Sequence, residues 1–158
     1  MSGPSSDRLL GPDDPAVYVV ERSAGRSPFV LACDHAGRAI PRRLAALHLS
    51  DHELASHVAW DLGVADLGRQ LSARLDAFAI AHAYSRLVID ANRPPDAPDS
   101  VPTLSEHTRI AANEGLSAAA RRQRVEEVFA PYHQRLRDEL DARRAASRPS
   151  LLVALHSF

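Results

Sequence analysis

The sequence contains no lysine: all 19 of its basic side chains are arginine. That absence excludes Schiff-base and Walker-type lysine chemistry. It leaves in unusual supply the planar guanidinium fork that grips carboxylates bidentately, so acidic small molecules are the favoured ligand class. The arginines are offset by 20 Asp and Glu, which leaves no basic excess to draw the chain to nucleic acid or to an anionic membrane. A single cysteine, Cys33, excludes an intrachain disulfide and fits a reducing cytoplasm; its place inside an apolar run reads as a buried strand position. No apolar run approaches the roughly 18 residues of a membrane span, and the opening "MSGPSSDRLLGPDDP" has no apolar signal core. At 158 residues the chain reads as one soluble, untargeted domain with room for a real core.

The first fifteen residues read as a disordered tail, with the domain over 16–158. "AVYVVER" and "PFVLAC" read as strands. Gly37 permits a turn, and Pro41 suits the first position of a helix carrying Leu44 and Leu47. A second helix is expected from near Asp61, with Leu67, Leu71 and Leu75 at four-residue steps. "AFAIAHA" and "RLVID" read as further strand material, and "NRPPDAPDS" as a loop by its prolines and aspartates. From Ser117, a plausible N-cap, to about Arg144 runs the longest helix, with Val125, Val128, Phe129, Tyr132, Leu136 and Leu140 on one stripe and a kink expected at Pro131. Leu151 to Leu155 closes the order as a strand. Such alternation predicts an α/β fold, helices packed on a largely parallel sheet.

Four patches put polar residues where a core has no use for them. In "ACDHAG", Asp34 and His35 directly follow an apolar strand; His35 is either a loop residue or, beside a carboxylate, a metal ligand or acid–base group. In "SHVAWDLG", Asp61 is most simply a helix N-cap, and His57 four residues earlier is a weak metal signal. "YSRLVIDANRP" gathers Arg86, Asp90, Asn92 and Arg93, which form either an internal Asp–Arg closure or a carboxylate cradle. The fourth is His156, immediately beyond the last apolar strand. Two strand-end histidines and a nearby acid would make the three-ligand catalytic zinc pattern, with one position open to water.

The ordered set "CDHAGRAIP", "HVAWDLG", "SRLVIDANRP", the polar loop to Asn113, "FAPYH" and "LHSF" resembles the N-formylglutamate amidohydrolase family over Phe29 to Phe158. The resemblance implies a three-layer α/β fold of the zinc exopeptidase type, with a largely parallel or mixed sheet and helices on both faces. It implies that His35, Asp61 and His156 hold Zn2+ or another divalent metal. Arg86 would polarise the scissile carbonyl, and Asn92 and Arg93, with Asn113 from the polar loop, would bind a substrate carboxylate. Asp90 would orient an arginine. Relatives carry a glutamate three residues after the first histidine, where this chain has Arg38, so Asp61 is taken as the second ligand. They also carry a Pro-Gly before the asparagine, where this chain reads "RIAAN". Family members continue past "HSF" to a late glutamate that looks like the general base, so the resemblance implies a domain whose C-terminal part is missing.

The expected activity is hydrolysis of N-formylglutamate or a similar N-acyl acidic amino acid, releasing formate or another acid by attack of metal-activated water on a linear amide. The competing reading is a non-catalytic α/β domain that binds a carboxylate or phosphate through its arginines. Nucleic-acid binding by "ARRQR" is disfavoured by Glu126, Glu127, Asp138, Glu139 and Asp141 on the same helix.

Overall fold

A computed structural model describes residues 8–157. Strands β1 (Tyr18–Glu21), β2 (Phe29–Cys33), β3 (Phe78–His82) and β6 (Leu151–Ala154) form one sheet in the order β1-β3-β2-β6. β1 is antiparallel to β3, whereas β3, β2 and β6 run parallel. The sheet is therefore mixed. Parallel neighbours need long crossovers, and here these carry the helices α1 (Asp51–Ala55), α2 (Val64–Leu75), α3 (Ala118–Arg124) and α4 (Ala130–Ala145). A two-stranded hairpin, β4 (Leu104–Ser105) and β5 (Thr108–Arg109), lies apart from the sheet.

The two-residue period of the strands divides the core between two layers. Val30, Ala32, Phe78 and Ile80 pack with Tyr132 and Leu136 of α4. Leu31 and Ala79 face the other way, against Leu71 of α2 and Val153 and Leu155. Helices thus cover both faces of the sheet, which gives three layers. No helix among the described residues is long and apolar enough to cross a membrane.

Four segments depart from the sequence reading. Residues 8–15 belong to the folded unit: Leu9 is buried in a core cluster, and the backbone amides of Leu9 and Leu10 donate to the carboxylate of Glu127 at 2.9 and 3.0 Å. The rest of the expected tail lies outside the described residues. The helix expected after Pro41 is a 3-10 segment, Arg42–His48, broken by left-handed backbone at Ala45, Ala46 and Leu47. Pro41 precedes it as its cap, and a separate short helix, α1, follows with a complete capping box between Ser50 and Glu53. Where a kink is expected at Pro131, five residues, Val125–Phe129, instead form a π-helical turn between α3 and α4. That widened turn absorbs the donor missing at Pro131.

The fourth departure matters most. "RLVID" is not a strand but a buried series of turns after β3. Its apolar run reflects burial on every side: Val88 and Ile89 sit in one cluster and Leu87 in another. Buried turns have no ladder partners, so side chains must serve their carbonyls. The Arg124 guanidinium donates to Val88 O at 2.8 Å, and the Asn113 amide donates to Leu87 O at 2.8 Å and Pro102 O at 2.7 Å.

Candidate metal centre and adjoining cleft

β2 and β6 are parallel neighbours, with Ala32 opposite Ala154. Their C-terminal ends therefore emerge side by side and deliver His35 and His156 to one place. Ligand sites of open α/β sheets lie at such carboxyl ends. The two rings meet edge to face with centroids 5.1 Å apart. Asp61 arrives from the loop between α1 and α2, anchored by its own amide to His35 O at 2.8 Å. The approach depends on Gly37: a Cβ there would lie 2.0 Å from Ala83 O, because the loop after His35 is pressed along the chain leaving β3 and pairs Ala39 with Tyr84.

His35, Asp61 and His156 each offer one ligand atom, and these atoms lie within 4.8 Å of one another. Asp61 is 2% exposed. Its Oδ2 lies 3.0 Å from His156 Nδ1 and 3.8 Å from His35 Nδ1, and it accepts from the Ser157 amide at 3.2 Å. Its Oδ1 accepts from Arg86 Nη2. The helix that follows is capped by Gly63, not by this carboxylate. His35 Nδ1 is buried without a hydrogen-bond partner while pointing at this cluster. An orphaned buried acceptor beside a carboxylate and a second imidazole suits a divalent cation, since two nitrogens and one oxygen are the donor set of open zinc sites.

The opposite edge of His35 is held. Its Nε2 is 2.6 Å from Asp90 Oδ1, which also accepts from the Asn92 amide at 2.8 Å, while Asp90 Oδ2 accepts from Arg93 Nε at 3.2 Å. Burial pushes the Asp90 carboxyl up, but hydrogen bonding and charge from His35, with the Asn92 amide and Arg93, hold it below the usual carboxylate value. Asp90 thus orients both an arginine and a histidine; the sequence reading had it orienting only the arginine. Burial lowers the His156 imidazole, as does the neighbouring charge of His35. It also lowers Arg86, against the pull of Asp90 and Glu106. Tyr132 of α4 donates to Asp34 Oδ1 at 2.6 Å and keeps its proton, its pKa raised first by burial and then by Asp34. Cys33 behind the site is buried and pushed up to about 11 by burial and by Asp34, an inert thiol.

Beside the cluster opens a cleft of about 270 Å³, lined by Arg86, Asp90, Arg93, Asp99, Pro102 and the hairpin residues Leu104, Ser105 and Glu106. Arg86 and Arg93 border the same space, as a cradle requires. Arg93 also donates to Asp99. Asn92 is not among the lining residues; it faces a second depression with Asp34 and His133. Asn113 is not brought to the site either: it is 4% exposed, and its amide is taken up by Leu87 O, Pro102 O and the Arg124 guanidinium. It supports the turn that carries Arg86 and Asp90, with its amide engaged there and not turned to the cleft. His57 pairs with Glu106 at 3.0 Å on the surface, away from the cluster. Arg38, in place of the relatives' glutamate, lies over the Trp60 ring at 5.6 Å. Two contributors escaped the sequence reading, Glu106 and the Tyr132–Asp34 pair. "ACDHAG" and "FAPYH" hold the two halves of the latter, with nothing local to join them.

Comparison with known proteins gives a consistent result. A family model described as N-formylglutamate amidohydrolase matches residues 27–158. The chain is 29% identical over 145 residues to an N-formylglutamate deformylase of Pseudomonas putida, a match covering 85% of this chain and 53% of that one. It therefore spans about half the length of the curated relative it matches. A crystal structure of a gene product from Agrobacterium tumefaciens superposes with a TM-score of 0.92 at 35% identity, over 95% of this chain and 60% of the other. An N-formylglutamate amidohydrolase from Ralstonia eutropha JMP134 shares the fold at a TM-score of 0.69 and 20% identity, over 91% of this chain and 58% of its own.

Proposed function

Since the chain belongs to the N-formylglutamate amidohydrolase family, we propose that it carries the metal centre and substrate cleft of a hydrolase acting on N-formylglutamate or a similar N-acyl acidic amino acid. The observation that carries this reading is the orphaned, buried His35 Nδ1 aimed at Asp61 and His156. His35, Asp61 and His156 would hold the ion, zinc by its donor set, although another divalent metal is compatible. Such an ion supplies Lewis acidity and activates water for attack on the amide carbon.

The chain's own side chains do the rest. Asp90 fixes the His35 ring so that Nδ1 faces the centre. Arg86, beside Asp61 and lining the cleft, presents a positioned cation to the oxygen of the bound amide, where charge develops as the carbonyl is attacked. Arg93 sits farther out, held by Asp90 through Nε; its contact with exposed Asp99 is one that a substrate carboxylate can exchange with. A binding domain that holds no metal has less support, because it leaves the buried, unpartnered His35 Nδ1 beside Asp61 and His156 without a role.

The test is metal analysis of purified protein together with formate release from N-formylglutamate. One equivalent of metal in the wild type, lost in His35→Ala and Asp61→Asn, is the expected result. A chain that binds no metal, or keeps it in both variants, overturns the reading.

A further inference from the structure

The two histidines of the cluster turn the same ring edge inward, and a different carboxylate lies toward each outward edge, hydrogen-bonded to His35 but only within ion-pair distance of His156. Both Nδ1 atoms face Asp61 Oδ2, at 3.0 Å for His156 and 3.8 Å for His35. A ring nitrogen that ligates a cation gives up its proton, so a neutral imidazole then carries its hydrogen on Nε2 and needs an acceptor there. His35 has one in Asp90, at 2.6 Å. On the Nε2 side of His156 stands Asp34, whose Oδ2 is 3.7 Å away. Asp34 is 8% exposed and is not one of the three convergent ligands. Its other oxygen, Oδ1, accepts the Tyr132 hydroxyl at 2.6 Å.

That second bond ties the site to the far layer of the fold. Tyr132 lies in the first turn of α4, directly after the π-helical turn Val125–Phe129. A π turn contains one more residue per turn than the α-helix expects and so rotates everything after it about the helix axis; such turns recur at functional sites. With that turn in place the Tyr132 hydroxyl reaches Asp34, the residue just past the end of β2, while the ring stays in the core. A carboxylate used only as a structural tie has no need to turn its second oxygen toward a ligand histidine.

Resting on the metal reading above, we propose that Asp34, fixed by the Tyr132 hydroxyl, is the positioning residue of His156: it accepts the Nε2 proton, sets the tautomer and aims Nδ1 at the ion. Asp34 and Asp90 then form a matched pair, each holding one ligand histidine from behind. Partners of this kind typically account for 10- to 100-fold in metal affinity.

The experiment measures cobalt(II) and zinc(II) affinity of the 158-residue chain by competition with a chromophoric chelator, with the cobalt(II) visible spectrum as a second readout. Asp34→Asn is expected to weaken binding by roughly 10- to 100-fold and to shift the cobalt bands, because the His156 ring is no longer held. Tyr132→Phe keeps the ring in the core, removes only the hydroxyl and is expected to act in the same direction but less; it keeps the test available if Asp34→Asn fails to fold. Wild-type affinity and an unchanged spectrum in both variants, with binding lost in His156→Ala, overturn the role of Asp34 and leave the metal centre standing. No uptake by the wild type, or full retention in His156→Ala, overturns both.

Discussion

At the scale of single residues, the cleft is built from charges that are already paired. Arg93 shows what this means for function: its Nε is committed to Asp90, and its outer nitrogen reaches the exposed Asp99. A planar fork can keep the first bond while turning the second toward a substrate carboxylate, which a lysine ammonium cannot do. Arg93→Lys is therefore expected to raise KM for an acidic substrate by roughly tenfold with kcat little changed, read from initial rates across substrate concentration. His133 supports a prediction on stability. Burial lowers its imidazole below the ordinary value of 6.5, against the Ala91 carbonyl and Asp34, which pull it up. The unfolded chain then takes up the proton first, so stability falls as pH drops below 6.5 and stops falling below the folded value. Thermal unfolding in the presence of chelator, followed from about pH 7 to about 5, should show a shallower decline in His133→Gln. An equal slope in the two proteins would remove His133 as a contributor.

At the scale of elements, the site depends on connections more than on the strands themselves. β2 and β6 fix where His35 and His156 begin, but the loop after His35 brings Asp61 alongside through the close passage of Gly37 against Ala83. Neither backbone can retreat without breaking the bonds between Ala39 and its neighbours Ala83 and Ser85. Gly37→Ala is therefore expected to cost about 2–3 kcal/mol in a denaturant titration. The buried turns carrying Arg86 and Asp90 work on the same logic, with Asn113 and Arg124 supplying the hydrogen bonds that a sheet would otherwise give. The asparagine that looks like a ligand-binding residue in the sequence is spent on this scaffold.

At the scale of the whole molecule, the sheet ends on one side in β6, which among the described residues pairs only with β2. Leu151 and Leu152 point to opposite faces of that strand and are 54% and 53% exposed. An unpaired edge flanked by bare leucines is a template for association between chains. The 158-residue chain by itself is expected to self-associate as its concentration rises, and Leu152→Lys to reduce that association without changing the circular dichroism spectrum. Light scattering over a concentration series is the measurement. A monodisperse wild type would show that the edge is innocuous.

What the sequence alone determined are features carried by local periodicity and by residue chemistry. Short apolar runs located β1, β2, β3 and β6, the four-residue leucine steps located α2, and histidines just past apolar strands marked the candidate centre, because these signals act over a few residues. The lack of lysine likewise limited the chemistry before any fold was known. Tertiary structure decided what depends on distant segments meeting. "RLVID" carries the composition of a strand, yet it becomes turns because Asn113 and Arg124 arrive to satisfy its carbonyls. Asp61 has the sequence position of a cap, but its carboxylate faces His156 and Arg86, and Gly63 caps the helix. Asp90 meets His35, and Asp34 comes within 3.7 Å of His156, only when β2 has been set between β3 and β6. A side chain's chemistry is written at its own position; its partner is set by packing, which no local pattern encodes.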